Sequence, residues 1–299
     1  VTEQHSRLAY WRVANEELNY RRFFDVGSLV AVRVEDPEVF EATHRTIIDL
    51  IADGTLDGLR IDHPDGLADP AGYIAQLSDA TNGAWIVVEK ILEDEERLPS
   101  SWKTAGTTGY DASWRIGALL RDAAGSAPLA GTLYQLTGDA MGALPRLIDE
   151  AKREIVADSL TSEARRLATL AHDVCRTDVR LRDHTWAALY DCLRTMLVTF
   201  GRYRAYVVPG TPAKPASLEA IDHAAARARA LLDDERHETL DVVIDLLKGL
   251  EVGSAGRTHD SQRAELITRF QQACGAVMAK GVEDTAYYRW THLLPLCEV

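Results

Sequence analysis

The fold of this chain is narrowed first by two short apolar segments that both end in charge. Residues Asp57–Asp62 (D-G-L-R-I-D) read as a brief strand, followed by the turn residues Pro64, Asp65 and Gly66. Trp85–Ile91 (W-I-V-V-E-K-I) is a β-branched run of the kind found in fully buried strands. Between them a helix opens at Asp69-Pro70 and runs to about Asp79. Another precedes them, with Asp36 as N-cap, Pro37 at its first position, Gly54 as stop, and Val39, Phe40, Ile47, Ile48 and Ile51 at helical spacing. The order helix, strand, helix, strand makes the two strands parallel neighbours joined by a right-handed crossover. Their polar tips then project from one C-terminal edge, where open α/β sheets and barrels alike bind ligands.

Those tips carry reactive side chains. Alternation along a strand puts Arg60 and Asp62 on one face, where the arginine can hold the carboxylate ionised and oriented. Glu89 follows a run of apolar residues at the mouth of the second strand, where desolvation favours a protonated carboxyl suited to general acid work. Two carboxylates at the same edge of adjacent parallel strands form the pair that retaining glycoside chemistry requires. That chemistry places the groups ~5 to 5.5 Å apart, and adjacent strands lie ~4.8 Å apart. The residues alone leave an alternative open, with Asp62 a strand-end turn residue and Glu89 a salt-bridge partner of Lys90.

The string R-I-D-H-P-D-G-L-A-D-P at 60–70 resembles the nucleophile motif of the alpha-amylase superfamily, and V-V-E-K-I-L at 87–92 resembles its acid/base motif. Together with Y-R-R-F-F-D-V at 20–26, A-G-T-T-G-Y-D at 105–111 and M-A-K-G-V-E-D-T-A-Y-Y-R at 278–289, these blocks are similar, in order, to those of the maltooligosyl trehalose synthases. The resemblance implies that Asp62 is a nucleophile forming a covalent glycosyl-enzyme, Glu89 the acid/base, and Arg60 the group that positions Asp62. His63 would contact the sugar near the cleaved bond, with Asp65, Tyr110, Lys280, Glu283 and Asp284 as further substrate-binding residues. Lys280, Glu283 and Asp284 would offer one cation and two carboxylates to sugar hydroxyls, and Tyr110 and Tyr287 two rings to pyranose faces. The alternative for the last block is a Lys280–Glu283 pair across one helical turn. In the family, the terminal α-1,4 bond at the reducing end of a maltooligosaccharide is converted to an α-1,1 bond by intramolecular transglycosylation. Neither a cofactor nor a metal is implied. An amylase-type hydrolase or 4-α-glucanotransferase would share Asp62 and Glu89, and a non-catalytic glucan-binding remnant would keep them without turnover.

Beyond about Arg121 the texture changes to amphipathic stretches rich in Ala, Leu, Arg and Glu: Met141–Asp158, Ser162–Cys175, Thr185–Thr199, Ser217–Leu232, Glu235–Leu250 and Asp260–Ala273. Arg202–Val208 reads as a strand or an extended link, and the proline-rich stretch Pro209–Pro215 as a rigid surface connection. A complete βα barrel takes ~250 residues, nearly all of this 299-residue chain. The expected fold is therefore α/β, a partial (β/α)8 TIM barrel with a large all-α inserted domain. Residues 1–120 would carry the nucleophile and acid/base, 121–270 the helical insertion, and 271–299 the return to the barrel.

Two superfamily features are not evident: a third carboxylate, from a His-Asp pair on a later strand, and an earlier Asp/Asn-His motif. His259-Asp260 mimics the first but precedes the Lys280 block, whereas the family's pair follows it, and Asp260 suits a helix N-cap. The chain starts at Val1 without a methionine, so the expectation is an internal or truncated portion of a longer enzyme, nearly inactive alone. Lys plus Arg total 33 against 46 acidic residues, a net charge of -13, which disfavours nucleic acid and anionic membranes as partners and leaves an α-glucan as the expected one. With apolar runs far short of the ~20 residues of a bilayer span, a cytoplasmic location is expected. Cys175, Cys192, Cys274 and Cys297 lie far apart and read as reduced core thiols.

Overall fold

A computed structural model describes residues 8–93, 96–138, 144–253 and 260–290; His259 and Cys297 lie outside the described residues. A short helix α1 (Ala14–Glu17) leads into an antiparallel hairpin of β1 (Arg22–Phe23) and β2 (Val26–Val30), then helix α2 (Pro37–Ala52). The Asp36 side chain accepts the Glu38 N–H at 3.1 Å, so the helix starts where its cap and proline place it. Strand β3 (Gly58–Ile61), helix α3 (Pro70–Ala80) and strand β4 (Trp85–Val88) follow, and β5 (Gly106–Thr107) adds to the other side of β4. Both pairings in this β3-β4-β5 sheet are parallel. Gly58 stands opposite Trp85 and Ile61 opposite Val88.

Among the described residues, helices cover one face of this sheet. Phe40 of α2 and Leu77 of α3 pack on Ile86, while Ile74 and Trp102 pack on Val88. The run at 85–91 is therefore not a fully buried strand. It ends at Val88, and Trp85, on the opposite face, is 60% exposed.

Helices α4 (Tyr110–Leu119) and α5 (Ser126–Thr137) lie at the periphery, with no buried residue in either. Then come α6 (Leu144–Ala157), α7 (Thr161–Cys175), α8 (Trp186–Thr199), α9 (Pro215–Leu231), α10 (His237–Leu247) and α11 (Asp260–Val277). From Val156 to Val277 these six share one apolar core, with Leu167, Leu189, Leu193, Met196, Ile221 and Phe270 among its buried members. Their amphipathic stripes have one another to bury against, which is where most helix stability originates. The free thiols Cys175, Cys192 and Cys274 sit in the same core, and burial pushes the first two up to about 11 and about 12.

Two irregular pieces connect this helical unit to the sheet. The stretch 202–208 is the extended link of the two alternatives, since it pairs with no strand. Its buried backbone is satisfied by side chains instead: Gln271 Oε1 accepts the Val207 N–H at 2.8 Å and its amide donates to the Val207 carbonyl at 2.9 Å. The second piece is a π-helical segment, Met278–Tyr287, that continues α11. It lies so close to α6 that a Cβ on Gly281 would stand 2.9 Å from Lys152 Cγ and 3.1 Å from its Cα. Lys152 is itself buried, donating to the Phe200 carbonyl at 2.7 Å, and burial lowers its pKa to about 8. A Gly281→Ala substitution is expected to push the π-helical segment off α6 and cost roughly 1–3 kcal/mol of stability. Urea denaturation of the variant against the parent measures this, and an unchanged midpoint would rule out the tight contact.

Candidate active site

The register of β3 on β4 decides the geometry at the sheet's edge. Arg60 is paired with Val87, and the Glu89 N–H continues the ladder by donating to the Ile61 carbonyl at 2.8 Å. Extending that register by one step sets Asp62 beside Glu89 on the face that carries Arg60. One guanidinium spans both acids: Arg60 Nη1 is 2.6 Å from Asp62 Oδ1 and Nη2 is 3.2 Å from Glu89 Oε1. Burial works against charge on Asp62, but hydrogen bonds from Arg60 and with Glu89 outweigh it and hold the carboxyl below the usual carboxylate range. The two carboxyl groups are thus held on one cation at one edge of the sheet.

His63 turns the chain immediately after Asp62. Its φ is +43°, the left-handed region that a residue with a side chain enters only when its surroundings demand it. In that conformation its N–H donates to Glu89 Oε2 at 2.9 Å, while Tyr110 OH donates to Glu89 Oε1 at 3.4 Å. Tyr110 thus lines the cleft with its hydroxyl directed at Glu89. The His63 ring is edge-on to Phe24, with centroids 4.4 Å apart, and burial lowers its pKa to about 4.

A cleft of about 300 Å³ brings most of the expected residues together. Asp62, His63 and Glu89 form one wall, and Lys280, Glu283 and Asp284 of the π-helical segment form the other. Phe23 and Phe24, from the block at 20–26, also line it, as does Tyr203, which no sequence signal assigned to a site. The pairing on the second wall is not Lys280 with Glu283. Lys280 Nζ contacts Asp284 at 2.7 Å and Asp25 at 3.6 Å, whereas Glu283, 7% exposed, accepts from the Tyr203 hydroxyl. A helical cation can pair at either i+3 or i+4; Lys280 takes the i+4 partner while Tyr203 holds Glu283.

Two expectations change on the first wall. Lys90 is not the partner of Glu89; its ammonium is fully buried, 3.4 Å from Asp65 and 3.3 Å from Glu96. Burial opposes its charge, but those two carboxylates raise its pKa above the ordinary value. Asp65 borders the cleft, yet both of its oxygens are engaged by the protein, Oδ2 by Lys90 and Oδ1 by the Tyr206 hydroxyl at 2.5 Å. It acts as a strut beneath the loop, with its side chain 4% exposed, and does not present a free carboxylate to a sugar. Among the described residues no group of three or more His, Cys, Asp or Glu is arranged to hold a metal ion, and no helix is long and apolar enough to cross a membrane.

Comparison with known proteins bears on the chain as a whole. A Mycobacterium tuberculosis protein carrying the name maltooligosyl trehalose synthase is 36% identical over 297 residues, 99% of this chain, in each of the two strains CDC 1551 and H37Rv. Over almost its whole length the chain is similar to a segment of that protein. The solved Arthrobacter ramosus maltooligosyltrehalose synthase superposes with a TM-score of 0.80 at 39% identity, over 98% of this chain and 34% of that one. A Sulfolobus tokodaii structure of the same name gives 0.69 at 26% identity over 98% of this chain and 33% of its own. No protein-family profile matches. The chain spans about a third of the length of these maltooligosyl trehalose synthases.

The buried His63 gives a pH signature. Its folded pKa of about 4 lies below the unfolded value near 6.5, so between those limits the unfolded chain binds more protons and folding weakens as pH falls. The loss attributable to His63 is expected to approach about 3 kcal/mol by the bottom of that window. It is read as the difference in urea stability between the parent and His63→Gln, which should shrink steadily from pH 6.5 to 4. A pH-independent difference would contradict the buried neutral imidazole.

Proposed function

We propose that this chain forms the nucleophile and acid/base portion of a maltooligosyl trehalose synthase, acting on the reducing-end α-1,4 bond of maltooligosaccharides. The observation that carries the reading is the Arg60 bridge between Asp62 and Glu89 at one edge of two parallel strands. The ionised Asp62 attacks the anomeric carbon while Glu89 protonates the departing O4 of the terminal glucose, giving a glycosyl ester on Asp62 and a free glucose. Glu89, now a carboxylate, takes the proton from the O1 hydroxyl of that glucose as it attacks the same anomeric carbon. The new bond is α-1,1, Asp62 is released, and two inversions leave the configuration retained.

The second half of the reaction succeeds only if the freed glucose stays and water does not replace it. Lys280 and Asp284 across the cleft, with Glu283 behind them, are suited to hold sugar hydroxyls, and the rings of Phe23 and Phe24 supply apolar surface beside them. In this reading residues 1–120 and 271–299 belong to a partial (β/α)8 barrel and 121–270 to an all-α insertion; the core shared by α6 to α11, which runs on to Val277, supports a separate helical unit. The parallel β3-β4-β5 order is consistent with neighbouring barrel strands.

In the full-length enzyme carrying this segment, Asp62→Asn and Glu89→Gln are each expected to lower turnover by roughly three orders of magnitude or more. The assay is proton NMR of the products from maltopentaose, which separates α-1,1 from α-1,4 linkages and from reducing sugar. An unchanged rate in Asp62→Asn removes the proposed nucleophile. Predominantly reducing products from the parent enzyme would replace the isomerase reading with a hydrolase.

A further inference from the structure

The loop that follows Asp62 and His63 is buried without belonging to a sheet. Pro64, Asp65 and Gly66 are all buried, and the carbonyls of residues 65 to 68 point into the protein. Buried carbonyls need donors. Arg204, from the extended link between α8 and α9, supplies most of them: Nη1 donates to the Asp65 carbonyl at 2.7 Å and to Leu67 at 2.6 Å, and Nη2 to Ala68 at 2.6 Å. The Gly66 carbonyl between them accepts from Gln272 at 3.0 Å and from Arg21. Two residues along the same link, Tyr206 bonds Asp65 Oδ1 and is itself held at φ +60°.

Arg204 has no access to the cleft, being only 2% exposed. Its influence must pass through the loop. The loop is held in a form it would not adopt alone, because His63 occupies the left-handed region and its ring lies over Gly66, where an added Cβ would stand 2.4 Å from the imidazole. The same turn aims the His63 N–H at Glu89 and places Asp62 beside Arg60. A planar guanidinium with donors at set angles fixes three carbonyls at once, which a flexible ammonium cannot.

We infer that Arg204 is a positioning residue of the proposed site: its grip on the carbonyls of Asp65, Leu67 and Ala68 sets where Asp62 and His63 stand relative to Glu89. The role rests on the function proposed above, but its structural half can be read without catalysis. The helical unit is then part of the site's construction, since one link reaches the first wall through Arg204 and Tyr206 and the second through Tyr203 and Glu283.

The test is amide hydrogen exchange on the 299-residue chain. The His63, Gly66 and Leu67 N–H groups are bonded to Glu89, to the His63 carbonyl and to the Pro64 carbonyl. In Arg204→Ala these three should exchange at least about tenfold faster, while amides around Leu193 in α8 keep their rates, since local opening is separable from global unfolding. Arg204→Lys should recover only part of the protection. Uniform acceleration that includes α8, unchanged exchange at residues 63 to 67, or full recovery with lysine would each overturn the clamp. In the full-length enzyme Arg204→Ala should lower kcat about 100-fold with little change in KM, the expected cost of a displaced reacting group. A change in KM alone would contradict positioning. If Asp62→Asn leaves that enzyme active, the functional reading fails while the exchange result stands. If Asp62→Asn abolishes turnover and Arg204→Ala alters neither kcat nor loop exchange, the positioning role fails alone.

Discussion

Four consecutive carbonyls, those of residues 65 to 68, are turned inward beside the acidic pair, and the arrangement around them depends on their being satisfied. No β-ladder reaches them. The donors are Arg204 and Gln272 from the helical unit and Arg21 from the hairpin region, residues far apart in sequence. Because an unmade hydrogen bond to a buried carbonyl costs about 1–3 kcal/mol, the loop has one well-satisfied position rather than several. The turn at His63 and the placement of Asp62 follow from that position.

Charge is distributed around the same loop in two layers. Outside, the partly exposed Arg60 joins Asp62 and Glu89 where a substrate can reach them. Beneath, the fully buried Lys90 is neutralised by Asp65 and Glu96, and its ammonium lies 5.4 Å from the Tyr203 ring centre. The inner layer is arranged so that no charge stands alone in a low-dielectric setting, which would cost several kcal/mol. The arginine and the lysine next to the acidic pair thus have different jobs: Arg60 bridges Asp62 and Glu89, and Lys90 supports the floor under them.

Much of the fold could be read from local signals. The Asp36, Asp69 and Thr185 caps mark helix starts, the apolar stripes predict α6 to α11 within a few residues, and the β3-α3-β4 unit follows from chain order. The β1-β2 hairpin, β5 and the peripheral helices α4 and α5 were not apparent. Two of these strands are only two residues long, too short for a period, and the two helices bury no residue. The side of the cleft formed by Lys280, Glu283 and Asp284 was legible as a set of residues but not as a geometry, because helical spacing allows Lys280 either carboxylate and distant Tyr203 and Asp25 decide between them.

The sequence by itself determined which charged side chains meet at the edge of the sheet. Arg60, Asp62 and Glu89 sit at the ends of two short strands whose parallel pairing is nearly forced by the helix between them, so alternation along the strands aligns the three side chains. Only the tertiary structure decided the rest: that Asp65 faces Lys90 and Tyr206 rather than a sugar, that Lys280 pairs with Asp284, and that Tyr203, Arg204 and Tyr206 reach both walls from an irregular link. Those partners lie up to about 140 residues apart in the chain. Their meeting depends on how the helical core packs, and no local period or spacing encodes that.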